Sequence, residues 1–275
     1  MNIGPAITRA RRGAALLLAA ALAACNSDRG NAPPPPAPVR VKDIVLSSLP
    51  SPFYHFDYDA AGRITAISYA SDLRKYEVTY DGDRILRLTN GVPGNSDQLQ
   101  YVYDEQGRVA LVKYVDDSGV FTLVFLTYDG ARLTGLERDR RVTGGYIIDK
   151  TMAFTYDADG NVHQVTEHRP AIDGVQDAST TVDLYESYDQ GVNVDGFSLI
   201  HDDFFDHLVL LTDVQLQKGN PARITRTGDG LNFVVDYTYA YDDANRPVTK
   251  AGVVTITNGA QAGQTTDIST QFTYY

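Results

Sequence analysis

Alternating hydrophobic and polar positions are the strongest pattern in the chain, and they predict β-strands. Residues 76–80, 99–103 and 237–241 carry aromatic or apolar side chains at every second position, with mostly polar or small ones between them. A period of two places the apolar side chains on one face of an extended segment, as in a half-buried strand. The pattern therefore predicts an all-β domain.

The dipeptide Tyr-Asp closes these strand-like segments at nearly regular spacing. Its copies begin at residues 58, 80, 103, 128, 156, 188 and 241, so that successive gaps are 22, 23, 25, 28, 32 and 53 residues. Gly follows within a few residues in most copies, and Asp and Gly are typical of turns. We interpret each period as one β-hairpin and the longest gap as two periods, with a degenerate unit at residues 216–224.

This repeat predicts the architecture of residues 42–275 as a single domain. Stacking the hairpins yields one antiparallel sheet of about 15–17 strands, and sheet twist should make so wide a sheet strongly curved or half-barrel in shape. Equivalent tyrosines should then form a ladder across the sheet that could face a ligand. These candidate ligand-facing residues are Tyr58, Tyr80, Tyr103, Tyr128, Tyr156, Tyr188 and Tyr241.

Residues 202–211 break the alternation. An Asp at the start, followed by Phe204, Leu208 and Leu211 at spacings of four and three, predicts one short amphipathic helix that plugs the concave face of the sheet. A buried strand is the alternative interpretation.

The turn sequences at residues 58–65 and 156–162 resemble the YD repeats of the RHS family. In large RHS proteins such hairpins wind into a hollow shell around a toxin, whereas this chain has too few repeats for a shell and is more similar to small uncharacterised YD-repeat-like lipoproteins of Gram-negative bacteria. The resemblance covers about residues 50–275. It implies a structural scaffold and no particular activity.

The first 24 residues have the pattern of an export signal. Arg9, Arg11 and Arg12 precede an apolar run at residues 14–24, which is too short to cross a bilayer. Cys25 directly follows Leu-Ala-Ala, and this tetrapeptide resembles the lipobox of bacterial lipoproteins. The resemblance implies a lipoprotein signal peptide over residues 1–24, lipidation of Cys25 with palmitate among the acyl groups, and, with Asn26 next, the outer membrane. A plain secretory signal is the alternative.

Residues 25–41 are interpreted as the lipid anchor and a tether. Four consecutive prolines at positions 33–36 and another at position 38 favour an extended, unpacked segment. The tether would hold the folded domain away from the bilayer.

Composition removes several classes of function. The 275 residues contain 24 Lys and Arg against 35 Asp and Glu, a formal net charge of −11, which argues against binding to nucleic acid. A single Cys leaves no internal disulfide and no Cys-cluster metal site. We predict no cofactor.

Candidate chemistry is sparse. His201, Asp203 and His207 form a metal-like cluster, but residues six apart on a helix point in different directions, so no metal site is predicted. The sequence contains no nucleophile elbow, zinc-protease motif, phosphate loop or dinucleotide fingerprint.

We therefore expect a lipid-anchored cell-envelope protein without catalytic activity, which serves as a binding or scaffolding module. Its partners would be the membrane, through the N-terminal lipid, and an unidentified protein, glycan or lipid. The first alternative is a periplasm-facing carrier that encloses a lipid or other apolar ligand in the curved sheet. The second is an enzyme that acts on envelope polysaccharide.

Overall fold

Antiparallel strands form almost all of the regular structure in the computed structural model, which describes residues 39–201 and 208–275. The sixteen strands within these ranges are β1 (Val41–Leu46), β2 (Tyr54–Tyr58), β3 (Ile64–Tyr69), β4 (Arg74–Asp81), β5 (Arg84–Asn90), β6 (Gln98–Tyr103), β7 (Val109–Asp116), β8 (Gly119–Asp129), β9 (Arg132–Val142), β10 (Gly145–Tyr156), β11 (Val162–Arg169), β12 (Ser179–Tyr188), β13 (Pro221–Gly228), β14 (Phe233–Tyr241), β15 (Pro247–Ile256) and β16 (Thr265–Tyr274). Two short 3-10 helices, Gly196–Ile200 and Gly259–Gln261, complete the described elements. The predicted all-β class and strand number are confirmed.

The sheet closes into a complete barrel. The expected strongly curved or half-barrel sheet is corrected on this point, because no edge stays open among the described strands. Every strand pairs with its neighbours in the chain, and β1 pairs with both β2 and β16. Val41 lies opposite Tyr274 and Leu46 lies opposite Thr270. Closure removes the two edges that an open sheet would leave with unpaired backbone N–H and C=O groups.

All the Tyr-Asp dipeptides lie at one end of the barrel, which we call the Tyr-Asp rim. In most of these hairpins the register shifts by one residue just before the tyrosine, as between Val102 and Tyr103 or between Thr127 and Tyr128. Such a bulge increases local twist and re-aims the side chain next to it. The recurring bulge therefore gives the tyrosines the same orientation at the rim.

The longest gap between dipeptides contains an insertion, and the degenerate unit predicted at residues 216–224 is wrong. Tyr188 ends β12, Pro221 begins β13 and Tyr241 ends β14, so this gap holds the usual two strands. The extra residues form the connection between β12 and β13. We call the described parts of this connection, residues 189–201 and 208–220, the plug.

The plug lies inside the barrel. Ile200, Leu208, Val209 and Leu210 belong to the same buried core as the inward-facing residues of the strands. Leu210 donates its backbone N–H to the hydroxyl of Tyr101 at 2.9 Å. A sixteen-stranded barrel is too wide for its own side chains to fill, so the core needs this additional segment.

The helix predicted over residues 202–211 is not present in its described part. Residues 202–207 lie outside the described residues, and residues 208–211 are buried without helical structure. The short 3-10 helix of the plug comes earlier, at Gly196–Ile200. Leu208 and Leu211, whose spacing predicted a helix, fill the core of the barrel without helical structure.

The exterior of the barrel is largely polar. Strand alternation places charged or amide side chains outward on strands around the circumference: His55, Asp57, Glu77, Arg87, Gln100, Lys113, Glu137, Gln164, Glu186, Arg223, Asp236 and Gln271. Val102, Leu111, Leu123 and Phe125 form a small apolar patch among them. Within the described ranges, no helix has the length and apolar character needed to cross a bilayer.

The hydrogen bond between Tyr101 and the plug can be tested by removing one hydroxyl. Tyr101→Phe leaves the buried N–H of Leu210 without its partner, so we expect the free energy of unfolding to fall by about 1–3 kcal/mol. The measurement is urea denaturation. Tyr146→Phe is the matched control because Tyr146 donates to the carbonyl of Val120 at an exposed site. Equal losses in the two variants would contradict the interior placement of the plug.

Candidate functional site

The tyrosines predicted as a ligand-facing ladder bind the neighbouring hairpin. Tyr80, for example, donates its hydroxyl to the carbonyl of Ile64 at 2.9 Å. The same bond recurs from Tyr103 to Ile85, Tyr128 to Val109, Tyr156 to Leu133, Tyr188 to Val162 and Tyr274 to Pro247, at 2.5–2.9 Å. Each bond joins a tyrosine at the end of one strand to a carbonyl at the beginning of the strand before it in the chain.

An arginine from each of several turns covers the tyrosine of the following hairpin. The guanidinium carbon of Arg63 lies 4.8 Å from the ring centre of Tyr80, and that of Arg108 lies 4.9 Å from the ring centre of Tyr128. Arg84 over Tyr103, Arg132 over Tyr156 and Arg246 over Tyr274 repeat the contact at 4.3–5.5 Å. Such stacking stabilises a cation against an aromatic face.

The aspartate of the dipeptide holds that arginine in place. In the first turn, Asp59 accepts hydrogen bonds from the backbone N–H of Arg63 at 2.9 Å and from its Nε at 2.8 Å. These bonds hold the pKa of Asp59 below its usual value. Asp104 binds Arg108 and Asp242 binds Arg246 in the same way, so Asp, Arg and the next Tyr form one connected unit in these three turns.

Glycine in these turns has a steric reason as well as a conformational one. Gly107 adopts a φ of +83°, and a Cβ at this position would lie 2.6 Å from Nη2 of Arg84. The arginine of the preceding turn therefore needs the space that glycine leaves.

The plug replaces the arginine where the repeat lacks one. The turn after Tyr156 has Asn161 at the arginine position, and its Oδ1 accepts the backbone N–H of Lys218 from the plug at 2.8 Å. Gln217 donates to the hydroxyl of Tyr188 at 2.8 Å, and Tyr241 donates its hydroxyl to Asp189. The two ends of the plug are in this way tied to the rim.

In these contacts the hydroxyls of most of the predicted tyrosines are hydrogen-bonded to other groups of the barrel. Burial raises the pKa of Tyr58, Tyr128 and Tyr156 to about 12, so the hydroxyls stay protonated donors over the physiological range. The structure assigns the Tyr-Asp dipeptides a role in joining hairpins; contact of the tyrosines with a ligand stays a prediction.

The weak metal candidates are not brought together among the described residues. Asp203 and His207 lie outside those residues, and His201 is buried with its Nδ1 2.7 Å from the hydroxyl of Tyr54. In residues 39–201 and 208–275, no group of three or more His, Cys, Asp or Glu side chains has the geometry of a metal site.

A cavity of about 430 Å³ lies between the plug and the strands on the side where the barrel closes. Part of its wall is apolar and is formed by Ile44, Leu46, Phe53 and Ile268. Leu49 also lines it and is 43% exposed, so the cavity reaches solvent beside the connection between β1 and β2, at the end opposite the Tyr-Asp rim. We call this space the far-end cavity.

A second, more polar cavity of about 230 Å³ lies deeper along β10–β15. Asp195, Ser198, Tyr237 and Lys250 line both cavities, so these four residues form the boundary between the two. We call them the boundary residues.

Lys250 and Asp195 form an ion pair at this boundary. The Nζ of Lys250 lies 3.0 Å from Oδ2 of Asp195 and 4.6 Å from the ring centre of Tyr237. Burial by itself would lower the pKa of Lys250, but the Asp195 carboxylate more than compensates and raises it above its usual value. The boundary therefore carries a charged ammonium group inside the barrel.

Further ion pairs line the interior in the same half of the barrel. Arg226 makes two hydrogen bonds to Asp183, at 2.7 and 2.6 Å, which raise the pKa of the arginine. Arg138 binds Asp149 at 2.8 Å, with both side chains almost fully buried. Buried charges are tolerated in proteins when they are paired in this way.

Sequence reasoning missed the boundary residues and the interior ion pairs. A signal was present: Asp183, Arg226 and Lys250 share the parity of the inward-facing residues in their strands, where apolar side chains are expected. Charged residues at such positions are conspicuous only when the register of every strand is known.

Comparison with solved structures finds the same fold in two porin-like proteins. One, from Bacteroides uniformis ATCC 8492, has a TM-score of 0.56 and 12% sequence identity, over 81% of this chain and 89% of that one. The other, from Bacteroides vulgatus ATCC 8482, has a TM-score of 0.57 and 17% identity, over 86% of this chain and 99% of that one. No family model and no curated protein matches the chain. At these identities the similarity shows the barrel fold, and membership of the YD-repeat family is not confirmed.

The rim aspartates predict how stability depends on pH. The Arg246 side chain and backbone N–H hold the pKa of Asp242 below its usual value, as Arg63 does for Asp59. The folded protein thus binds fewer protons than the unfolded chain, so we expect stability to be lost as the pH falls below about 4, the ordinary range of an Asp carboxyl. Denaturation midpoints at pH 7 and at acidic pH measure this loss.

The contribution of the rim to acid sensitivity can be separated with two variants. Asp242→Asn should lower stability at pH 7 and reduce the further loss on acidification, because the carboxylate is already gone. Asp267→Asn, at an exposed position of β16, should retain the dependence of the original chain. The same acid profile in both variants would contradict the rim assignment.

The interior ion pair of Arg138 and Asp149 predicts a large loss of stability when one partner is neutralised. Asp149→Asn removes the negative charge that pairs with the buried guanidinium of Arg138 and also lies 3.8 Å from Nε of Arg140, so we expect a loss of about 3–5 kcal/mol in urea denaturation. Asp83→Asn is the control, since Asp83 contacts Arg63 at 3.8 Å on the exposed surface and should change stability little. A small effect of Asp149→Asn would show that the guanidinium is solvated.

Proposed function

We propose that this chain is a lipid-anchored cell-envelope binding module: a plugged β-barrel that stands in water and is held to the outer membrane through Cys25. Its similarity to porin-like barrels supports a place in the envelope. The lipobox-like sequence before Cys25 supports the anchor. The binding role is non-catalytic and uses the interior cavities.

The polar exterior carries this proposal. A barrel that spans a bilayer presents an apolar band about 25 Å tall to the lipid and a polar interior. Here the outward positions at the middle of the strands include Glu77, Lys113 and Asp236, on separate parts of the circumference. The interior around the plug is the larger apolar region, the reverse of a membrane barrel.

The position of the first strand supports an orientation relative to the membrane. Val41 begins β1 opposite Tyr274, and the backbone N–H of Tyr275 donates to the carbonyl of Arg40, all at the Tyr-Asp rim. A tether that runs from Cys25 to Val41 therefore reaches the barrel at this rim. With such an anchor the far-end cavity opens on the side away from the attachment point.

The cavities favour a carrier as the specific form of binding, which is the second candidate function. A space of about 430 Å³ lies within the range of about 300–1,000 Å³ usual for ligand cavities. An enzyme that acts on polysaccharide would need two carboxyl groups placed about the scissile bond. Among the described residues, three carboxylates line the two cavities, and each is instead ion-paired: Asp183 with Arg226, Asp195 with Lys250 and Glu167 with Arg169. This pairing supports binding over hydrolysis.

The anchor and the aqueous barrel can be tested together with Cys25→Ser in the bacterial cell. We expect the original chain to incorporate labelled palmitate and to fractionate with the outer membrane. The variant should lose the label and be recovered from the periplasm without detergent, because its exterior is polar.

Two results would contradict the proposal in different ways. A variant that stays in the membrane and needs detergent for extraction would mean that the strands themselves contact lipid. A Cys25 that takes no lipid, in a chain that is released from cells, would mean a plain secretory signal. Asn26→Ser is the matched control, since it changes the neighbouring residue and should retain the label.

A further inference from the structure

We propose that the far-end cavity binds a single-chain amphiphile with a carboxylate head group, whose head contacts Lys250 and whose chain lies against the apolar wall towards Leu49. This inference rests on the proposed function as a binding module and names the class of ligand that such a module would take. It is carried by the juxtaposition of a largely apolar cavity, which reaches solvent beside Leu49, with the buried ion pair of Lys250 and Asp195 at its boundary with the second cavity.

The wall of the cavity fits an acyl chain. Leu46 lies opposite Thr270, and Thr270 lies opposite Lys250, so the apolar and charged parts of the lining stand on three adjacent strands. Ile44, Phe53 and Ile268 extend the apolar surface around the same space. An apolar chain placed there would leave water and gain free energy with each methylene group.

The base of the cavity favours an acceptor over a donor. Lys250 has three N–H donors, and one of them binds Asp195 at 3.0 Å, so donor capacity remains at the cavity boundary. A carboxylate would make a charge-assisted hydrogen bond to this ammonium group. An ammonium head group in the same place would meet a like charge.

Asp195 does not occupy the cavity with an uncompensated negative charge. Its Oδ2 binds Lys250, and its Oδ1 accepts from Nδ2 of Asn193 at 3.3 Å. The hydroxyl of Ser198 donates to the backbone carbonyl of Asp195 at 2.7 Å, so this part of the plug is held in position. The ion pair thus orients the lysine towards the boundary and keeps it charged.

The experiment is calorimetric titration of the full chain carrying Cys25→Ser, which avoids competing detergent and acyl groups. The probes are decanoate, decanol and decylammonium, which share one chain length and differ in the head group. We expect decanoate to bind tightest, decanol about tenfold more weakly, and decylammonium more weakly still. In the series hexanoate, octanoate and decanoate, each added methylene should tighten binding about three- to fourfold.

Two variants separate the head group from the wall. Lys250→Met should weaken decanoate about tenfold and leave decanol nearly unchanged, whereas Lys250→Arg, which retains the charge beside Asp195, should retain the preference for decanoate. Ile268→Trp should fill the cavity and abolish binding of all three probes. Lys113→Met is the control for the loss of a lysine, because Lys113 points outward from β7.

Circular dichroism of each variant shows whether it is folded. If Lys250→Met is not folded, the comparison of decanoate, decanol and decylammonium on the barrel with the original Lys250 still tests the head-group preference. Decylammonium binding to the original barrel as tightly as decanoate, or an unchanged preference for decanoate in folded Lys250→Met, would overturn the carboxylate assignment while the module still binds amphiphiles. No binding by any probe, in a variant that is nevertheless recovered from the periplasm, would overturn the ligand class and leave the anchored barrel intact.

Discussion

The hydrogen bond from most of the rim tyrosines to a carbonyl of the preceding hairpin is the constraint on which the barrel depends. Tyr80 bound to Ile64, with Arg63 stacked on its ring, is the first copy of this contact. Because each contact joins consecutive hairpins at the same height, the copies fix the stagger of successive strands. A constant stagger over sixteen strands is what allows β1 to meet β16 in register. The contact that joins neighbouring turns therefore also sets the strand stagger that closure of the barrel requires.

Closure of so many strands creates an interior that must be filled. The plug supplies the missing volume, and its ends replace rim contacts at the positions where the repeat lacks an arginine, as Lys218 does beside Asn161. The segment is thus part of the fold as well as its filling. The plug does not fill the interior completely: two cavities remain between its residues Asp195 and Ser198 and inward-facing strand residues such as Lys250. The cavities follow from this uneven filling.

The distribution of polar groups connects the fold to the proposed role. The charged side chains outside and the apolar core inside support the proposal that the barrel stands in water, although the solved structures that share the fold are described as porin-like. The chain enters the barrel at the rim, while the far-end cavity opens at the other end. A lipid anchor on the entering chain and a ligand at the far end would therefore not compete for space.

The sequence by itself determined the strand pattern, the hairpin repeat and the approximate number of strands, because period-two alternation and Asp-Gly turns are local and each copy carries its own signal. Closure was decided only by tertiary structure, since β1 pairs with a strand more than two hundred positions later in the chain. The same holds for the plug, whose residues were interpreted as a further repeat and a helix. Lys250 and Asp195 were absent from the predicted site residues because a contact between distant segments leaves no local pattern; only the folded barrel brings them within 3.0 Å.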